Sequence, residues 1–304
     1  MAPKESPPLL REIHLRKDAA VRAYTLNEHN YGESGIEYLL VHRNGEKTRI
    51  RKFRCDVKFL GGPPEAYQDG DNRRLFTTGT ISNTVLALGA EHSDGEPEAY
   101  ALALARRLTD AAPSVQATVV HLSAMEFTAI PGAAPGPARH FTGPPGGALQ
   151  HTATVRLGRD ADLHVFGGLD GLELFATSGA TFTGFPRDFY TTTPHQPDRA
   201  LGISCRIAWR YNRPSADYGK CRLNAYRAAT RAFAEHTSNS SQHTFHHLAR
   251  AVLDACQDTD SVRIEGIHQT RPLLDLGPFL PDQDVIYGVQ DSQTSPVTVE
   301  VNRS

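Results

Sequence analysis

Gly35-Ile36-Glu37-Tyr38-Leu39-Leu40-Val41-His42-Arg43, followed at once by Asn44-Gly45, is the stretch from which the fold can be read. Ile36, Tyr38 and Leu40 alternate with Glu37, Leu39 and Val41, as an extended chain with a two-residue period requires. Asn-Gly is the strongest short hairpin signal, because both residues accept the positive φ angles of a tight turn. The spacing predicts that the chain turns at Asn44-Gly45 and returns over Thr48–Leu60, which begins an antiparallel sheet.

Outward from this hairpin, Arg74–Leu88 is rich in Thr and branched residues, and Pro97–Leu108 carries Ala101, Leu102, Ala105 and Leu108 at helical spacing. Ser114–Ile130 reads as a long strand. The Pro and Gly of Pro131–Gly147 mark a loop. Strand patterns return at His151–Arg159, Ala161–Gly184 and Ala200–Tyr211. Asp217–His236 is helical, and Ser241–Cys256 places Phe245, Leu248, Ala249, Val252, Leu253 and Cys256 on one stripe behind a serine cap. Strands resume at Ser261–Ile267 and Val297–Val301. The order is a hairpin, a helix and a strand pair, repeated with two helices, which predicts an α+β fold of antiparallel sheets with helices on one face. It divides the chain into two similar units, residues 20–159 and 160–304.

Acidic and basic residues number 34 and 32, so no excess field draws the chain to nucleic acid or to an anionic membrane. No apolar run approaches the roughly 20 residues needed to cross a bilayer, and Met1–Arg11 has no apolar signal-peptide core. The expectation is a soluble, cytoplasmic protein. Cys55, Cys205, Cys221 and Cys256 lie far apart, without zinc-site pairing or disulfide-scaffold density, and are expected to be reduced and structural. There is no Walker loop, no dinucleotide fingerprint and no nucleophile elbow.

Phe182-Thr183-Gly184-Phe185-Pro186-Arg187-Asp188-Phe189-Tyr190-Thr191-Thr192-Thr193, then Asp198-Arg199 and Trp209-Arg210-Tyr211, resemble the core signature of the urate oxidase family. Looser blocks follow in the family's order: Asn30-Tyr31-Gly32, Gly70-Asp71-Asn72, Ser82-Asn83-Thr84-Val85, Ala232-Phe233-Ala234-Glu235 and Asp275-Leu276-Gly277-Pro278-Phe279. The resemblance implies a tandem tunnelling fold and a barrel-like homotetramer with active sites at subunit interfaces. It implies molecular oxygen as co-substrate, with neither metal nor organic cofactor. Phe182 matches the phenylalanine on which a flat substrate ring stacks, and an aromatic face suits a planar heterocycle. Arg199 matches the arginine that grips one ring edge with its planar fork of donors. Gln242 matches the glutamine that reads another edge, offering one acceptor and two donors.

The catalytic side departs from the family. Where urate oxidases read Tyr-Gly-Lys, this chain reads Tyr31-Gly32-Glu33. The threonine that works with that lysine is kept as Thr78, and the aspartate after it is Gly79 here. The family's Asn-Lys-His aligns without gaps onto His268-Gln269-Thr270, so a histidine stands on the oxygen side with Thr270 two residues on; a two-residue shift would restore the family's histidine, and either register aims His268 at the same space. Lysine to glutamate changes the local charge by two units, and a carboxylate there repels a gathering anion. Glu33 is therefore expected to act as a general base, relayed through Thr78, on a neutral urate-like ring. Ordinary urate oxidation and a non-catalytic ring-binding scaffold are the competing readings. His243, His246 and His247 share a helix side, but no carboxylate or cysteine completes a metal site at obvious spacing, so a solvated or subunit-facing side is expected.

Overall fold

The computed structural model describes residues 25–304 apart from positions 46, 93, 131–137, 144–148, 275, 276, 278 and 280–285, with backbone only at 290–293. Met1–Arg11, residues 20–24 of the expected first unit, most of the Pro131–Gly147 loop and much of the Asp275–Phe279 block lie outside the described residues.

The first strand, β1 (Asn30–Asn44), pairs with β2 (Lys47–Gly61) around the expected turn. A short α1 (Pro64–Gln68), α2 (Thr78–Glu91) and α3 (Pro97–Ala111) precede β3 (Val115–Glu126). The ribbon β4 (Thr128–Ala129) and β5 (Phe141–Thr142) leads into β6 (Gln150–Gly158). The second half runs β7 (Leu163–Phe182), β8 (Gln196–Tyr211), α4 (Tyr218–Glu235), α5 (Ser241–Ala255), β9 (Thr259–Thr270) and β10 (Gln290–Asn302). Eight strands make one antiparallel sheet in the order β1-β2-β3-β6-β7-β8-β9-β10. The two halves meet edge to edge where β6 pairs with β7. No described helix is long and apolar enough to cross a membrane.

Alternation decides which face the helices cover. Phe53, Cys55, Val57 and Phe59 of β2 are buried, while Lys52, Arg54, Asp56 and Lys58 between them are not. In β8 the alternating buried set is Leu201, Ile203, Cys205, Ile207, Trp209 and Tyr211. The α5 stripe of Phe245, Leu248, Ala249, Val252 and Leu253 packs onto this face, and α3 delivers Tyr100 edge-on to Phe53. Each such apolar side chain contributes about 1.5–3 kcal/mol by leaving water. Cys55, Cys205, Cys221 and Cys256 are all free and buried, as expected.

One expectation needs correction. The first half holds two long helices instead of one, because Arg74–Leu88 contains the start and body of α2. Thr77 caps it, its side chain accepting from Thr80 N. Only Ile81, Val85 and Gly89 are buried, a stripe of one residue per turn that the surrounding threonines and serine mask in the sequence. Packing against β1 and α3 outweighs weak intrinsic propensity here.

Candidate active site

Residues 183–195, between β7 and β8, are folded by their own side chains. Gly184 takes φ 75°, a conformation glycine adopts without strain. Arg187 donates to the carbonyls of Thr193 at 2.8 Å and Thr191 at 3.2 Å. Asp188 Oδ1 accepts from Tyr190 N at 2.9 Å and from Thr191 Oγ1 at 2.8 Å. Much of the block that carries the resemblance therefore shapes the loop. Trp209 and Tyr211, from the same signature, are 1% and 5% exposed and belong to the core.

The loop leaves Phe182 and Arg199 side by side. Phe182 ends β7 opposite Gln196, and Arg199 pairs with Ala180. Arg199 Cζ stands 5.2 Å from the Phe182 ring centroid, a cation–π contact. Arg199 Nη1 reaches Gln196 Oε1 at 3.4 Å, while its Nε is buried and without a hydrogen-bond partner among the described residues. A buried donor left unpaired costs free energy, so this edge favours a ligand acceptor. Burial also pulls the Arg199 proton affinity down. Phe185, which the sequence reading did not single out, stacks on Phe182 at 4.8 Å and 18°.

A parallel bridge brings in α5. Ala180 pairs with Ser238, Thr181 N donates to Ser238 O at 2.7 Å and Ser238 N to Gly179 O at 3.1 Å. Ser240 then caps the helix, accepting from His243 N at 3.1 Å. Gln242, the second helical residue, is exposed. Ser241 Oγ lies 3.2 Å from His268 Nδ1, which joins β9 to the same corner. His268 is half-buried opposite Ile203 of β8. Burial first, then the Arg199 and Arg271 charges, lower its pKa and favour the neutral imidazole. Thr270 ends β9 and takes an Arg271 hydrogen bond on its carbonyl at 3.2 Å. The serine cap expected of this helix is supplied by Ser240, and the neighbouring Ser241 is free to meet His268.

Glu33 and Thr78 lie away from this corner, on the edge strand β1 and on α2. β1 lies four inter-strand steps from β7, roughly 19 Å measured along the sheet at about 4.8 Å per step. Gly32 is held against β2 so closely that a Cβ would stand 1.9 Å from Val57 O. Glu33 next to it pairs with Val57, just before a bulge at Ser34-Gly35 whose Gly35 N donates to Asp56 Oδ1 at 2.6 Å. Tyr31 OH accepts from Phe76 N at 3.3 Å, which couples this strand to the approach of α2. Glu33 is half-buried; Thr78 and Gly79 are exposed on the first turn of α2. One chain thus gathers Phe182, Arg199, Gln242 and His268 at one corner, and places Glu33 and Thr78 at another.

The histidine run is not simply solvated. His236, which caps α4, packs against His243 at 4.5 Å and His247 at 4.4 Å between ring centroids. The His236 and His247 planes differ by 12°, so their in-plane lone pairs do not converge. Among the described residues no group of three His, Cys, Asp or Glu is placed to hold a metal ion.

Comparison with known proteins places this geometry. The Uricase family model matches residues 165–295, which include Phe182, Arg199, Gln242 and His268. Uricase from Arthrobacter globiformis is 27% identical over 259 residues, spanning 84% of this chain and 82% of that protein. Uricase from Dictyostelium discoideum is 26% identical over 79% of this chain and 84% of its own length. The crystal structure of uricase from Arthrobacter globiformis superposes with a TM-score of 0.85 at 23% identity, covering 92% of this chain and 96% of that one, and a uricase from Bacillus fastidious gives 0.77 at 17%, covering 91% and 94%. The architecture is the tunnelling fold, and the chain is similar to uricases over most of its length.

Proposed function

We propose that this protein is a cofactor-free oxidase that uses molecular oxygen on a planar, urate-like heterocycle. The observation that carries the reading is the buried Nε of Arg199, unpartnered among the described residues, beside the Phe182 ring: a planar donor edge next to an aromatic floor. Phe182 stacks the ring, Arg199 and Gln242 grip its edges, and His268, kept neutral and bonded to Ser241, faces the reacting side. A ring that enters displaces Phe185 from the Phe182 face or slides between Phe182 and Arg199. An electron-rich substrate that has lost a proton reacts with oxygen itself, so the protein supplies position and proton transfer.

Glu33 and Thr78 complete this site from a second subunit in a homotetramer of tandem units, residues 20–159 and 160–304. What supports this is that one chain leaves them four strands from the clamp. Glu33 takes the proton through Thr78, and its charge favours a neutral ring over an anion. A second reading, urate itself, is favoured by the name uricase that the relatives carry. Oxygen uptake and ultraviolet spectra of the purified protein with urate, then with neutral purine-like and pteridine-like rings, separate the two. Uptake with a neutral ring and not urate supports the first and uptake with urate the second, while ring binding without uptake refutes an oxidase.

A further inference from the structure

Four buried cysteines look alike in the sequence, but the fold treats two of them differently. Cys221 lies in the first turn of α4, and Cys256 is the residue that ends α5. The antiparallel helix pair brings these distant ends together: Cys256 Sγ donates to the Cys221 carbonyl oxygen at 3.4 Å. Both line one open cavity of about 440 Å³, with Lys220, Asn224 and Asp258 on its walls. A small oxidant can enter beside these two residues, which are otherwise buried at 6% and 2% exposure. Cys55 and Cys205 are sheet residues, on β2 and β8, and neither lines that cavity; Cys205 borders a separate one of about 420 Å³.

We propose that Cys221 and Cys256 are a peroxide-responsive thiol pair that closes reversibly into a disulfide between α4 and α5. The Cys256 sulfur attacks a peroxide oxygen, giving a sulfenic acid and releasing water when the oxidant is hydrogen peroxide. The Cys221 thiol then attacks the sulfenic sulfur, forming the S–S bond and releasing a second water. Two thiols are oxidised by two electrons and one peroxide is reduced to two waters. Cys256 is the attacking sulfur because the Arg303 guanidinium stands beside it, donating to the Cys256 carbonyl at 3.3 Å, and a nearby cation favours the thiolate. Burial pushes the Cys55 and Cys205 thiols up, Cys205 to about 12; the Cys221 thiol is raised too, so it is the second, resolving thiol and not the first attacker. The crosslink encloses the segment that carries Ser241 and Gln242. The inference does not rest on the proposed activity, since any peroxide serves.

The test is to treat the native protein with hydrogen peroxide, quench, denature, titrate thiols and map peptides by mass. Thiols should fall from four to two, with Cys221 and Cys256 peptides linked, and dithiothreitol should restore all four. The oxidised protein should melt higher by roughly 5 °C, because the link removes freedom from the unfolded chain. In Cys221→Ser the resolving thiol is gone, so dimedone should label Cys256. Recovery of the two residues as separate sulfinic acids, oxidation of Cys55 or Cys205 first, or four intact thiols up to unfolding would each overturn the proposal, whether or not the variant folds.

Discussion

Glu98 gives the sharpest test of how the core is built. It sits in the first turn of α3, 2% exposed, where Tyr211 OH of the second half donates to its Oε1 at 2.9 Å. Burial dominates its titration and outweighs the Tyr211 bond and the Arg222 charge, raising the pKa from 4.5 to about 7. The folded state therefore prefers the protonated carboxyl. Below pH 4.5 both states are protonated and this group's contribution is fully present. Between 4.5 and 7 the unfolded chain ionises first, so stability falls as pH rises, and above 7 the loss is complete. A shift of 2.5 units corresponds to about 3 kcal/mol. Glu98→Gln keeps an acceptor for Tyr211 but cannot ionise. The expected result is a difference in unfolding free energy, variant minus wild type, that rises by about 3 kcal/mol from pH 4.5 to pH 8 in urea titrations at equal protein concentration. Other titrating groups cancel in that difference. A difference that is flat across the range would refute the reasoning.

Glu33→Gln should lower turnover of the true substrate by roughly 100-fold or more while ring binding persists, read as kcat against dissociation constant; unchanged turnover removes Glu33 from the chemistry. Arg199→Lys keeps the charge but loses the planar fork and the Phe182 contact, and ring binding in calorimetry should weaken roughly 10- to 100-fold. Gly32→Ala sets a Cβ 1.9 Å from Val57 O, so the β1–β2 register must yield, with at least about 2 kcal/mol lost in chemical denaturation. Because burial, Arg199 and Arg271 lower the His268 pKa, the acid limb of the kcat/KM profile should fall below the ordinary imidazole value of about 6.5; a limb at or above it contradicts a neutral His268.

The alternation in Gly35–Leu60 and Ala200–Tyr211, the Asn44-Gly45 turn and the α5 stripe were enough to give an antiparallel sheet with helices on one face, because period and turn chemistry are local properties. The Phe182 block carried the family resemblance for the same reason: Gly184, Arg187, Asp188 and Thr191 fold one short loop among themselves. Helix α2 stayed hidden, since its three buried residues are chosen by contact with β1 and α3 and not by a strong apolar pattern. Local sequence also held no sign that Ser241 meets His268, that Phe185 covers Phe182, or that Cys221 and Cys256 touch. Those pairs are separated by 27, 3 and 35 positions, and each is set by how loops and helix ends are packed. Sequence alone determined most of the elements, α2 excepted, and the chemical inventory; the pairing of strands and the docking of α4 and α5 decided which of those groups share a site, because proximity between distant residues is a property of the packed chain.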